Sequence, residues 1–374
     1  LRGRPVLVGG GSERGVVCAA SYEARAYGCH SAQPMAAARR LCPDAVVIRP
    51  RGARYREVSE VVFRVLHATT PQVEPLGLDE AFLDISGLVP RHGTPGEIGA
   101  RLRGSVREAT GLAATVGVAP TKFAAKLASS TSKPDGLLVV GPDELSDWLA
   151  AHPIEAMWGL GPARARFFRE HGVTTFGALQ QWETPALVRR FGHRALAWQE
   201  LARGVDRRGV TPDRERRSVS HEQTFRVDVG DREELRRIVF EQTEHVARRL
   251  RRHDLRAERV TVKLRDGGFR TLTRSTTLGQ PSASTDVLWA AVRERFGVWA
   301  DRAFVPLRLS GGAAEVSRNA PQHLLFGDEG GSGRPAVDAV TDRIVARFGA
   351  GAIGRAGQHR AEDEATSQGD VNTI

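Results

Sequence analysis

Apolar residues recur along this chain at two different spacings, and the change from one to the other divides it into segments. From Tyr55 to Ala68, Val58, Val61, Val62, Val65 and Leu66 return every three or four positions, which predicts a helix with one apolar side. Pro34 to Cys42 repeats that spacing over a shorter stretch. Val73 to Gly87, VEPLGLDEAFLDISG, reads as strand, turn, strand, because apolar runs flank a glycine and a pair of acids. A helix from about Pro95 to Thr110 and a strand from Ala113 to Val118 follow. Helices alternating with short strands predict an α+β layer, with helices behind a mixed sheet and the acidic turn on its open side.

The pattern changes further on. Arg203 to Val219 is rich in charge and poor in apolar residues, as expected of a linker whose arginines touch a polyanion in passing. From Ser218 to about Gly312 strands accompany two longer helices, Arg232 to His253 and Ser284 to Val298. The strand Arg259 to Arg265 alternates Val260, Val262 and Leu264 inward with Thr261, Lys263 and Arg265 outward. With Arg270 and Arg274 on the next strand, that outer face predicts a basic sheet suited to phosphates and not to base readout. Ala336 to Phe348 has the spacing of a small amphipathic helix, and the remainder to Ile374 is polar.

Candidate chemistry is concentrated at a few positions. Asp79 and Glu80 are adjacent acids at the tip of an apolar segment, where they repel each other unless a cation sits between them. Gly77 supplies a bend that lets both face one ion, and hard carboxylate oxygens suit Mg2+. Tyr22 and Arg25 fall on one face of a helical turn, and a phenol beside a guanidinium can grip a phosphate chain. Lys122, Lys126 and Lys133 are three of only four lysines in a chain that otherwise uses arginine. Lys133 precedes a proline in an extended turn, within reach of a triphosphate. In Ile154 to Phe176, Gly159 and Gly161 bracket a tight turn between helical segments, with Arg164, Arg166 and Arg169 beyond it, so backbone amides and arginines can meet a DNA phosphate. Gln322 to Phe326, QHLLF, places Leu324, Leu325 and Phe326 in a polar tail, where they fit a partner's apolar pocket.

Composition narrows the class of partner. With 54 Lys and Arg against 44 Asp and Glu the formal charge is +10, which favours nucleic acid. No apolar run approaches the roughly 20 residues of a membrane span, and no signal-peptide pattern opens the chain, so a cytoplasmic protein without a membrane partner is expected. Cys18, Cys29 and Cys42 are odd in number and lack metal-ligand spacing, which predicts reduced thiols. A length of 374 residues allows two to four domains.

Tyr-Glu-Ala-Arg at 22–25, Leu-Asp-Glu-Ala-Phe-Leu-Asp at 78–84 and Ser-Lys-Pro-Asp-Gly at 132–136, in that order, resemble the motifs of the Y-family DNA polymerases, most closely the bacterial DNA polymerase IV group. The likeness implies an α+β right-hand polymerase: fingers at 1–50, palm at 51–150, a helical thumb with a helix-hairpin-helix at 151–210, a linker at 211–217, an α/β little finger at 218–312, and a tail at 313–374. It implies error-prone, low-processivity translesion synthesis by two-metal nucleotidyl transfer onto a primer 3'-hydroxyl. Asp79 and Glu80 would hold two Mg2+ ions. Tyr22, Arg25 and Lys133 would bind the deoxynucleoside triphosphate, and Asp84 would be structural. Gly159, Gly161, Arg164, Lys263, Arg265 and Arg274 would hold primer-template DNA. Gln322, Leu324, Leu325 and Phe326 would engage a sliding clamp, and the protein would be a monomer.

Two departures accompany the likeness. The chain begins beyond the short strand and helix in which the family carries a further metal-ligating Asp and an aromatic steric gate, so an N-terminally truncated chain without its first palm strand is expected. The alternative is a catalytically impaired DNA- and clamp-binding protein. Ala19 stands where many relatives have a hydroxyl near the phosphates.

Overall fold

A computed structural model of the chain describes residues 1–10, 14–212, 217–300, 307–317, 335–349 and 352–353. It divides into two compact units, one built from Leu1–Gly52 together with Glu215–Thr373 and the other from Ala53–Arg214.

The N-terminal part of the first unit is a three-stranded sheet. β1 (Val6–Gly9) lies between β2 (Val17–Ala20), antiparallel, and β3 (Val46–Ile48), parallel. Two short helices, α1 (Tyr22–Arg25) and α2 (Met35–Leu41), cross between β2 and β3. The Ser21 hydroxyl caps α1 by accepting from the Ala24 amide at 3.3 Å. Leu7, Val17, Ala24, Cys29, Met35, Ala38 and Cys42 form a small core of their own, while Cys18 is exposed. All three cysteines are free thiols.

The second unit opens with α3 (Gly52–Thr69), which leads into an antiparallel pair, β4 (Val73–Pro75) and β5 (Ala81–Leu83), registered Val73 to Leu83, Glu74 to Phe82 and Pro75 to Ala81. After α4 (Val89–His92) comes α5 (Pro95–Thr110), whose bounds were fully written in the sequence. Thr94 and Glu97 make a reciprocal capping box, Pro95 opens the first turn, and Gly111 ends the helix at φ 71°. β6 (Val116–Val118) and β7 (Leu137–Val139) pair in parallel, connected through α6 (Lys122–Thr131). Gly117 lets the backbones of β6 and α6 touch, since a Cβ there would lie 2.2 Å from the Ala125 carbonyl oxygen.

Beyond β7 the unit is helical: α7 (Leu145–Ala150), a 3-10 turn at Ile154–Ala156, α8 (Pro162–Glu170), α9 (Phe176–Gln180), α10 (Thr184–Phe191) and α11 (Arg194–Ala202). One apolar core joins α6 to all of these, with Phe123, Leu149, Ile154, Phe168, Phe176, Leu179 and Leu187 fully or almost fully buried. Each such side chain contributes about 1.5–3 kcal/mol through its removal from water.

The chain then returns to the first unit. β8 (Ser218–Val229), α12 (Arg232–Arg252), β9 (Arg256–Asp266), β10 (Thr271–Ser282), α13 (Thr285–Ala300) and β11 (Leu307–Ser317) form an antiparallel sheet ordered β10-β9-β11-β8. The inner face buries Val260, Val262 and Leu264 against Leu235, Val239, Val246 and Leu250 of α12 and Leu288, Val292 and Phe296 of α13. This is the inward alternation that the sequence predicts for β9, although the strand is longer than the expected 259–265. A last helix, α14 (Pro335–Phe348), is tied to this layer. The Asp338 carboxylate accepts from the Thr285 amide at 3.0 Å, and Asp342 takes the Arg251 guanidinium through both oxygens at 2.7 and 2.8 Å.

Candidate active site and nucleic-acid interface

The hairpin of β4 and β5 presents the acidic pair. The Glu80 carbonyl accepts from the amides of Leu76 and Gly77 at 2.9 and 3.3 Å, which closes the turn, and the Ser59 hydroxyl donates to the Leu78 carbonyl at 2.5 Å, which fixes it to α3. Asp79 and Glu80 are both exposed at its tip. Glu80 Oε2 lies 2.9 Å from Lys126 Nζ, whereas the Asp79 carboxylate makes no hydrogen bond or ion pair among the described residues. Asp84, at the far end of β5, accepts the Ser86 amide at 2.9 Å; that bond holds its carboxyl below the usual range and occupies it locally.

Among the described residues no three metal-ligating side chains cluster. Two adjacent carboxylates, one without a protein partner, nevertheless suit Mg2+, which keeps several waters and shares its coordination with substrate phosphates. The donors are hard oxygens, the turn is anchored, and both groups reach solvent. The residues present therefore fit the ion.

Behind the turn lies a network that the sequence did not reveal. Glu74 is buried on β4, and its Oε2 accepts from Lys122 Nζ at 2.5 Å and from the Thr211 amide at 2.8 Å. Lys122 also donates to the Gly209 carbonyl at 3.1 Å and sits 4.9 Å from the ring centre of Phe82, the cross-strand partner of Glu74. Arg208 grips Asp206 through two bonds of 2.7 Å and lies over Trp158 at 4.8 Å. Asp206 accepts the Phe123 amide at 3.1 Å at the start of α6. Burial pushes the Asp206 carboxyl up, but the Arg208 guanidinium and the amide bonds outweigh it and leave the group below its ordinary value. Residues 206–211 are thus a strap bound to β4 and α6, where sequence composition predicts a linker with arginines available for DNA.

Tyr22 and Arg25 belong to the first unit and Lys133 to the second. Tyr22 is 53% exposed, with the Arg25 guanidinium 5.5 Å from its ring centre. Arg25 Nε donates to the Ala20 carbonyl at 3.1 Å, which aims the guanidinium across the ring. Lys133 is exposed in the loop before β7. In the same loop, Asp135 is bound by Arg103 and Arg107, and their hydrogen bonds hold its carboxyl below the usual range.

Two elements fit a phosphate backbone. Gly159 sits at φ 84°, a conformation that favours glycine, in the turn before α8. Gly161 caps α8 without a side-chain bond and Pro162 follows, so the helix end is open to an anion, with Arg164 and Arg166 exposed beside it. Arg164 also lies 5.1 Å from the ring centre of Trp198.

On the four-stranded sheet, Thr261, Lys263 and Arg265 share the outer face as expected. Lys263 is already engaged, with both Glu222 oxygens at 2.8 Å. The expectation that Arg274 joins this face is corrected by the register: Arg265 pairs with Thr271 and Lys263 with Thr273, so Arg274 pairs with Val262 on the helix-covered side. Thr276, two residues on, bonds Arg295 of α13, consistent with that side. Parity also shows a residue missed from sequence: Arg259 pairs with Thr277 and lies on the outer face with Lys263 and Arg265. Gln322, Leu324, Leu325 and Phe326 lie outside the described residues.

Comparison with known proteins places this geometry. Residues 1–130 match the impB/mucB/samB family and residues 216–315 match the C-terminal domain of the same family. The DNA polymerase IV of Halorhodospira halophila (strain DSM 244 / SL1) is 45% identical over 275 residues, 73% of this chain and 77% of that protein. The DNA polymerase IV of Alkalilimnicola ehrlichii is 44% identical over 291 residues, 78% of this chain and 82% of its own. That of Desulfatibacillum aliphaticivorans is 36% identical over 356 residues, 94% of this chain and 90% of its own. A Y-family DNA polymerase chimera of known structure shares the fold, with a TM-score of 0.76 at 24% identity over 84% of this chain and 92% of that one.

Proposed function

Because this chain belongs to the Y-family DNA polymerases, among relatives of the DNA polymerase IV kind, we propose that its acidic β4–β5 turn is the centre of nucleotidyl transfer. The chain is a DNA-directed DNA polymerase of the translesion class. In the reaction proposed here the primer 3'-hydroxyl attacks the α-phosphate of a deoxynucleoside triphosphate, the bond to the β-phosphate breaks, and pyrophosphate leaves. Asp79 and Glu80 hold Mg2+, two ions in this reading, which supplies Lewis-acid stabilisation of charge on the transferring phosphate. Tyr22, Arg25 and Lys133 receive the triphosphate, the guanidinium bidentately and the ammonium as a point charge.

The α8 hairpin around Gly159, Gly161 and Arg164 holds the DNA backbone, as do Arg265 and, once it leaves Glu222, Lys263. These contacts carry no base information, which suits an enzyme that must accept damaged templates. We further assign Gln322, Leu324, Leu325 and Phe326 to a sliding clamp, and the protein to the cytoplasm as a monomer. Among the described residues no helix is long and apolar enough to cross a membrane.

The observation that carries the reading is the exposed Asp79 carboxylate, unpartnered beside Glu80 on an anchored turn within the LDEAFLD motif. The test is primer extension with Mg2+ by the protein expressed from its natural start codon. Asp79→Ala lowers the rate more than about a hundredfold, about 2.7 kcal/mol of barrier, while Asp84→Asn stays within about tenfold. Equal activity of Asp79→Ala and the parent would overturn the assignment.

A further inference from the structure

We propose that Lys126 is the built-in counter-ion of the acidic turn: its ammonium holds Glu80 while no metal is bound and releases that carboxylate when one arrives. The inference rests on the reading of Asp79 and Glu80 as the metal site. It makes Lys126 a positioning residue, acting on the reaction through Glu80.

Two observations lead to it. First, Lys126 Nζ lies 2.9 Å from Glu80 Oε2, so a cation already sits at one carboxylate of the pair while Asp79 has no such partner. Second, the stem of Lys126 rises from a fixed base. Phe123, Ala124, Leu127 and Ala128 around it on α6 are buried, and Asp206 caps the Phe123 amide. The ammonium also lies 5.8 Å from the ring centre of Trp158, a ring it shares with the Arg208 guanidinium. The pair is half open to water, with the two side chains 25% and 46% exposed, so the exchange needs no burial of a bare charge.

The choice of side chain follows the same logic. This chain fills nearly every basic position with arginine, yet Lys126 is one of its four lysines. A guanidinium would grip the carboxylate through two bonds and persist there, whereas a compact ammonium on a flexible stem holds through one and leaves. Before metal arrives, Lys126 keeps Glu80 from repelling Asp79. When metal binds, a dication supplies what the ammonium supplied, and Lys126 leaves Glu80 for water.

The prediction is an opposite response to two substitutions. Mn2+ binding is measured by electron paramagnetic resonance without DNA or nucleotide, on the full chain expressed from its natural start codon. Lys126→Met, which keeps the length and removes the charge, binds Mn2+ about two- to fivefold tighter than the parent, the range set by a solvent-exposed ion pair. Lys126→Arg binds it more weakly than the parent. A purely structural role would shift both variants the same way, and matching thermal midpoints establish that both are folded. Glu80→Gln separates the two layers of the argument. If it leaves Mn2+ affinity unchanged, the site reading fails; if it weakens Mn2+ but Lys126→Met does not tighten it, the counter-ion role is overturned.

Discussion

Glu74 carries a charge beneath the surface, and Lys122 sits 2.5 Å away to neutralise it. Removing one member of a buried pair costs more than the pair contributes, because the other is left in a medium that solvates it poorly. Lys122→Met is therefore expected to lower stability by about 3 kcal/mol, read as a fall in the urea midpoint. Asp206 gives a pH signature of the same strap. Its folded carboxyl holds a proton less tightly than the unfolded one, so its stabilisation is complete above the ordinary carboxylate range and fades as pH falls through the lowered folded value. Urea midpoints measured from pH 7 down to 3 should fall more steeply for the parent than for Asp206→Asn. At this scale the sequence disclosed the acidic pair and withheld its company. Asp79 and Glu80 stand out because adjacent acids at a turn call for a cation. The partner of Glu80 lies 46 residues away on another element, and no local pattern encodes that distance.

Elements whose ends are set by local chemistry were legible to the residue, and elements whose faces are set by pairing were not. α5 begins and ends where Thr94, Pro95, Glu97 and Gly111 dictate. In β9 and β10 the alternation is visible in each strand, but the side to which Arg274 points depends on a register fixed by the connection at 267–270. A single residue of slip reverses every side chain. The consequence is measurable in the salt dependence of DNA binding. Arg265→Ala should reduce the slope of log affinity against log salt by about one, and Arg274→Ala should leave it unchanged. Gly159→Ala is expected to cost about 1–2 kcal/mol, because a Cβ at φ 84° meets the following carbonyl. The cost should appear as a lower thermal midpoint together with weaker duplex binding.

For the molecule as a whole, a formal charge of +10 predicts that phosphate contact is the dominant source of affinity. With about six phosphates engaged, affinity for primer-template should fall roughly a thousandfold between about 50 and 200 mM salt. A much flatter dependence would mean that the α8 hairpin and the outer face of β9 are bystanders. Both ends of the chain contribute to one unit: Leu1–Gly52 is grouped with the segment that starts at Glu215, and Arg14 reaches Asp228 at 2.6 Å and the Phe225 carbonyl at 3.1 Å. The order in which a ribosome delivers these pieces is then part of the folding problem. The first sheet emerges with its own compact core around Leu7 and Met35 and can settle early. The acceptors for Arg14 are still untranslated at that moment, and the whole intervening unit must be synthesised before they exist, so this clasp closes only after that unit has been made.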